Sequence, residues 1–344
     1  MNRYLLLLIL PGLACAQSGY TAEKAVDHGV EVIHLADAGH GLQLSIVPSV
    51  GNRAYELKVH EKNLLYSLDP AALVQAGSKG LNGIPFLAPW ANRMAGAGFW
   101  ADGKRYTFNP EVGSVHLDPN GIAIHGMLTA SPHWEVTELN ADANSAHVTS
   151  RFRFWKYPEL MENWPFAQEY EMTYRLAGGV LEVSTTIRNL STQPMPVAIG
   201  FHPYFQIPGV PRAEASAHIA ARLHVETNPQ LVATGATTPN SLPEQVSLKD
   251  HTLDDGFTDL VRGGDGRATF SVRAGDKEID VIYGPKYQVA VVYAPPGKDY
   301  ICFEPMTAIT NGVNLAHDGK YSALQMLDPG ATWRESFWVS SSGF

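Results

Sequence analysis

Five short phrases in the chain carry residue types able to move protons or to hold a polar ligand. Asn92-Arg93 stands just before the glycine-bearing turn Met94-Ala95-Gly96-Ala97-Gly98-Phe99 and offers an amide beside a fixed fork of cationic donors. Ile124-His125-Gly126 sets an imidazole against a glycine. Phe201-His202-Pro203-Tyr204-Phe205 sets another among aromatics, with Pro203 biasing His202 to extended backbone. Leu253-Asp254-Asp255-Gly256-Phe257 joins two acids to a turn signal, and Tyr300-Ile301-Cys302-Phe303-Glu304-Pro305 delivers a carboxylate at the end of an apolar strand. Imidazole titrates near pH 6.5, and a semi-buried carboxylate is pushed up towards that range, so His202 and Glu304 are types suited to proton exchange at ambient pH.

Each phrase also has a purely structural reading. Asn92-Arg93 can shape a turn and pair with an acid, a histidine beside glycine can be a satisfied structural group, and Asp254-Asp255-Gly256 is by default a turn. Glu304 is the least easily explained this way. Apolar residues precede it and Pro305 excludes helix, so its carboxylate is expected in a semi-buried place, where charges are rarely set without a partner or a task. The 13 His are scattered, without an H-E-x-x-H pattern or a paired-cysteine motif, so neither a metal site nor a cofactor is expected.

The elements that must position these groups read as strands. Val30–Leu35 and Leu42–Val47 flank the turn Gly39-His40-Gly41. Trp134–Leu139, His147–Trp155, Glu169–Leu176 and Val180–Arg188 follow, the last two joined by Gly178-Gly179 as a tight hairpin turn. Ala268–Arg273, Glu278–Tyr283, Gln288–Tyr293 and Tyr300–Phe303 read as a meander, and Trp333–Val339 as a closing strand. The polar, proline-dotted stretch Thr227–Leu253 reads as an extended surface loop. No long amphipathic helix separates the strands, which excludes the helical crossovers of parallel-sheet folds. The expected fold is all-β, one large antiparallel β-sandwich forming a single domain over residues 17–344.

Composition agrees with that class. Hydrophobic residues at 45% support a large core, while 31 Gly and 23 Pro favour short strands and turns. With 25 Lys+Arg against 34 Asp+Glu the net charge is −9, which lacks the electrostatic footprint of a nucleic-acid binder. Residues 1–16 read as a signal peptide: Arg3, an apolar run from Leu5 to Leu10, and the small-residue site Ala14-Cys15-Ala16. Pro11 and Gly12 cut the run short of a membrane span, so a periplasmic or secreted protein is expected, with lipidation of Cys15 as the rival. After cleavage no stretch remains that would span a bilayer, and Cys302 would be the one cysteine left, so no internal disulfide is expected.

Taken in order, the five phrases resemble the aldose 1-epimerase (galactose mutarotase) family. Ala91-Asn92-Arg93-Met94-Ala95-Gly96 is similar to its N-R-I-A-G turn, and Ile124-His125-Gly126 to its H-G-G step, with Met127 for the second glycine. Trp164-Pro165 and the strand after it resemble the Y-P-G-N-L segment, with Phe166-Ala167 for its glycine and asparagine. Phe201-His202-Pro203-Tyr204-Phe205 resembles H-x-Y-F, followed by Gln206 in place of Asn. Asp254 to Phe257 matches D-x-x-F, and Glu304-Pro305 the strand-end glutamate.

The resemblance implies a galactose mutarotase-like sandwich that interconverts the α and β anomers of a free aldohexose by opening and reclosing the pyranose ring. Glu304 would be the base and His202 the acid, on opposite sides of the hemiacetal, exchanging roles on reclosure. His125, Arg93, Asp254 and Asn92 would hold the sugar, with Trp90, Trp164 or Phe303 available to pack against its ring. The substitutions Met127, Phe166-Ala167 and Gln206 are expected to alter the pocket. Three alternatives stay open: an enzyme for hexose 6-phosphates, a non-catalytic sugar-binding protein of the same fold, and a glycoside hydrolase using Glu304 with Asp254. The expected partner is a small sugar, with the oligomeric state left unassigned.

Overall fold

The computed structural model describes residues 19–344; the signal peptide expected over residues 1–16 lies outside the described residues. The first described strands form a five-stranded meander, Tyr20–Asp27, Val30–Asp37, Leu42–Val47, Arg53–Val59 and Lys62–Asn63. A nine-stranded sheet runs Glu135–Ala141, Ala146–Arg153, Gln168–Ala177, Val180–Asn189, Thr332–Ser342, Lys277–Tyr283, Ala268–Ala274, Ser216–His218 and Val246–Ser247 from edge to edge. The third large sheet has eight strands, ordered Ala233–Pro239, Ala221–Thr227, Leu253–Leu260, Val289–Ala294, Ile301–Met306, Gly200–Phe201 and Phe86–Leu87, with Tyr204–Phe205 also paired to Ile301–Met306. These strands all pair antiparallel, as the sequence predicts.

Alternation explains how the two largest sheets meet. Successive side chains of a strand point to opposite faces, and along Ile301–Met306 the ring of Phe303 alternates with the carboxylate of Glu304. Phe303 packs on Phe270 of the nine-stranded sheet at 6.1 Å between ring centroids, and Phe201 on Phe337 at 4.9 Å. These rings join the main hydrophobic core between the sheets. The opposite face of the eight-stranded sheet is thereby left free to carry Glu304 and its row.

Three expectations about elements are corrected. The C-terminal meander is split: Lys277–Tyr283 pairs with Ala268–Ala274 and Thr332–Ser342, whereas Val289–Ala294 pairs with Leu253–Leu260 and Ile301–Met306. Gly284-Pro285-Lys286 is therefore a crossing between sheets rather than a hairpin turn. Thr227–Leu253 is not a plain loop, since Ala233–Pro239 pairs with Ala221–Thr227 as an edge strand and Val246–Ser247 pairs with Ser216–His218. One face of that edge strand is wet and its residues are largely exposed, so no apolar alternation marked it. Asp254 to Phe257, expected as a turn, lies inside the strand Leu253–Leu260.

Candidate active site

Strand register builds the site row by row. Glu304 pairs with Val291, and Val291 with Gly256. On the other side, Gly200 faces Met306 and Tyr204 faces Cys302, which sets His202 directly opposite Glu304. The next row along the same face holds Tyr204, Cys302, Tyr293 and Asp254. Neither Pro203 nor Pro305 has an N–H to give to the ladder. His202 instead donates its backbone N–H to the Pro85 carbonyl at 3.1 Å, which fixes the strand in place beside Phe86–Leu87.

The outcome is a cavity of about 230 Å³ with His202 and Glu304 in its lining, together with His125, Arg93, Asn92 and Asp254. All six residues named from the sequence come together there. His202 Nε2 lies 3.3 Å from Glu304 Oε1, and the residues are only 6% and 1% exposed. Glu304 is deeper than the expected semi-buried strand end. It sits inside the strand, because Pro305 still pairs in register with Ala290. The two groups stand side by side on adjacent strands rather than on opposite sides of a gap.

Burial drives the two groups in opposite directions. Loss of solvent pushes the Glu304 carboxyl well above its ordinary value, and the negative charge of Asp254 adds to that. His202 is pushed down to about 3 by the same loss of solvent, so it does not stay near 6.5 as expected from its type. Burial thus favours the neutral forms of both groups, a protonated Glu304 beside an unprotonated His202. Glu304 Oε2, His202 Nδ1 and His125 Nδ1 have no hydrogen-bond partner among the described residues. Buried polar atoms left unpaired are costly, and these three cluster at the His202–Glu304 pair and the His125 ring beside it.

The other lining groups are held by their own elements. His125 and Asn92 both adopt left-handed backbone, with φ of 61° and 57°, and the N–H of His125 donates to the Asn92 carbonyl at 3.0 Å. Gly126 follows at φ 66°, and a Cβ there would lie 2.2 Å from the Ala88 carbonyl oxygen, so the H-G step is required by close backbone approach. The ring of His125 meets that of His202 edge-on at 5.5 Å. Burial first, then the neighbouring imidazole of His202 and the positive charge of Arg93, hold His125 well below its ordinary value, so it presents a neutral ring. Arg93 donates from Nε to Asp118 Oδ2 at 2.8 Å. Asn92 Oδ1 accepts from the Arg93 backbone and from Thr310 Oγ1, which leaves its amide N–H groups to act as donors. Asp254 is exposed at the rim.

Sequence reading missed several contributors. Tyr204 and Tyr293 line the cavity, and Tyr204 stacks on His202 at 4.6 Å. Tyr204 was inside a quoted phrase, but the position of Tyr293 opposite Asp254 depends on strand register. Asp118 holds Arg93; its Asp-Pro-Asn-Gly turn is legible, but not its second partner. Trp90, Trp164 and Phe303 are core residues rather than ring-packing groups, at 1%, 0% and 0% exposure. None of the departures from the family pattern lines the cavity. Met127 and Phe166 are buried in the core, Ala167 accepts a backbone hydrogen bond from Leu190, and Gln206 Nε2 donates to the carbonyls of Asn63 and Leu65.

The family model described as aldose 1-epimerase matches residues 32–340. The chain belongs to the aldose 1-epimerase family. Among solved structures, it is similar to a galactose mutarotase-like protein from Clostridium acetobutylicum, with 22% identity, coverage of 95% of this chain and all of that one, and a TM-score of 0.84. A Synechocystis protein shares 26% identity over 92% of this chain and 98% of that one, with a TM-score of 0.74. A galactose 1-epimerase from Lactobacillus acidophilus shares 13% identity over 95% of this chain and all of that one, with a TM-score of 0.71. This family's fold is the antiparallel sandwich described above.

Proposed function

We propose that the protein is an aldose 1-epimerase acting on a free, unphosphorylated aldohexose, with His202 and Glu304 moving the protons. The carrying observation is their 3.3 Å approach on adjacent strands inside a cavity lined by polar side chains. In a cyclic hemiacetal the anomeric hydroxyl oxygen and the ring oxygen are bonded to the same carbon. Two proton-transfer groups must therefore stand close together, and a side-by-side pair meets that need.

Ring opening takes the proton from the anomeric hydroxyl and gives one to the ring oxygen, and reclosure on the other face of the carbonyl reverses both transfers. With Glu304 as base, the pair's single proton starts on His202. Burial favours it on Glu304, one short transfer away across 3.3 Å. Arg93 and Asn92 donate to ring hydroxyls, Asp254 accepts from one, and neutral His125 serves as a further partner. Among the described lining residues Arg93 is the one cation, and Asp118 already engages it, which leaves no cluster for a phosphate. Beside Glu304 stands an imidazole rather than a second carboxylate, which favours epimerisation over glycoside hydrolysis. The paired, desolvated proton carriers favour an enzyme over a binding-only protein.

The test is exchange of the anomeric protons by NMR at equilibrium, for glucose and galactose. Glu304→Gln and His202→Asn are each expected to lower kcat by about 10²–10⁴. Glu304→Gln retaining more than about a tenth of the wild-type rate, a loss under ~1.4 kcal/mol, would show that Glu304 is not the base. The pH profile is a second check. A second proton joins the pair only near 3, so kcat/KM is expected to hold as pH falls through 6.5. A fall with its midpoint at 6.5 would contradict the neutral pair.

A further inference from the structure

The cavity branches. Past Asn92, Arg93, Asp254 and Val291, which line both spaces, a side slot of about 20 Å³ opens away from His202 and Glu304. About 10–15 Å³ admits one water-sized group, so the slot has room for a methyl and not for a second sugar ring. Its walls are mainly aliphatic, Val225, Leu231, Val289 and Ile309, with Thr227 and Thr310 beside them.

Gly256 also lines it, and nothing in the backbone asks for glycine there. The residue lies in the middle of a strand, paired with Val291, and its φ is not in the left-handed range. A Cβ would meet only Val225, at an ordinary 3.5 Å. Any larger side chain would fill the slot, so the missing side chain is what keeps the space open. At the mouth of the slot, polar groups wait beside the apolar walls. The Asp254 carboxylate accepts no hydrogen bond among the described residues, and the Asn92 amide has its oxygen occupied and its N–H groups left to give.

We propose that this slot recognises the acetamido group of an N-acetylhexosamine, with the methyl among the aliphatic walls, the amide N–H donated to Asp254 and the amide carbonyl accepting from Asn92 or Arg93. A bare methyl, as on a 6-deoxyhexose, would fill the walls but leave Asp254 covered and unpaired, which is unfavourable. This inference rests on the mutarotase reading and narrows its substrate class.

Anomeric exchange rates of glucose, galactose, N-acetylglucosamine, N-acetylgalactosamine and 6-deoxyglucose would be compared for wild type and Gly256→Val. Thr227→Phe, an exposed change at the slot, serves as the second variant should the first fold poorly. Wild-type kcat/KM is expected to be at least as high for the N-acetyl sugars as for their parents. Each variant should lower the N-acetyl values by about tenfold or more while moving the parent sugars by less than about twofold. Poor turnover of the N-acetyl sugars, equal losses on both kinds, or a preference for 6-deoxyglucose would overturn the inference while leaving the mutarotase reading intact. If no sugar is turned over, that reading fails by itself. Calorimetric binding of N-acetylglucosamine to wild type, weakened about tenfold by Gly256→Val, would then still support the slot, and its absence would refute it.

Discussion

Glu304 and His202 are costly residues to bury, and their protonation ties stability to pH. Above about pH 4.5 the unfolded chain ionises Glu304 while the folded chain keeps its proton, so the folded state binds more protons and stability falls as pH rises. His202 acts in the opposite sense. The unfolded imidazole takes a proton below 6.5 and the folded one only near 3, so stability falls on acidification through that window. Glu304→Gln, which cannot ionise, is therefore expected to melt above wild type near pH 8, with the gap closing towards 4.5; a melting temperature below wild type at pH 8 would refute the raised carboxyl. Arg93 makes a separate prediction. Asp118→Asn loosens its guanidinium, so KM for the sugar is expected to rise about tenfold with kcat changed much less, measured by the same exchange assay. The chemistry-bearing residues were legible because their types are odd for their surroundings. Tyr293 and Asp118 were not, because their roles depend on which strand or turn lies alongside.

Strands place these residues by alternation, so one sequence run serves two tasks. Phe303 and Phe201 anchor the sheet to its partner while Glu304 and His202, one residue away on each strand, face the cavity. The alternating runs Gln168–Ala177 and Val180–Asn189 were readable to within a residue or so because one face is buried and a Gly-Gly hairpin joins them. The edge strand Ala233–Pro239 was hidden by its wet face, and the split after Tyr283 was hidden because a turn sequence does not say which sheet the chain joins next. At this scale the Gly126 turn is the weak point. Gly126→Ala would force a left-handed alanine against the Ala88 carbonyl, and about 1–3 kcal/mol of destabilisation is expected. Because the same turn carries His125, sugar binding should weaken with it. A denaturant midpoint and KM both unchanged would show that the turn does not set His125.

Across the whole molecule, the buried core tryptophans and the pocket aromatics are different residues. Trp164 stacks on Phe99 at 4.2 Å and on Trp90 at 5.8 Å, all three buried and none lining the cavity. Trp164→Ala is accordingly expected to cost about 3–5 kcal/mol in denaturant unfolding while leaving KM nearly unchanged. Of the substitutions that set this chain apart from the family pattern, Met127 and Phe166 belong to the core and Ala167 and Gln206 make backbone contacts, so none of them changes the lining of the cavity. Fold class was legible from the strand-rich pattern and the absence of long helices, and the family from short phrases in order. The division of labour between core aromatics and pocket tyrosines was not, since both read as aromatic residues in apolar runs.

The central claim is that the paired groups Glu304 and His202 exchange anomers, and polarimetry tests it most directly. Freshly dissolved α-D-glucose and α-D-galactose would be followed to equilibrium rotation with and without the purified protein, beside Glu304→Gln. Faster decay with wild type that returns to the spontaneous rate with the variant is the predicted result. Decay at the spontaneous rate with wild type on every aldose tried, N-acetylated ones included, would contradict it.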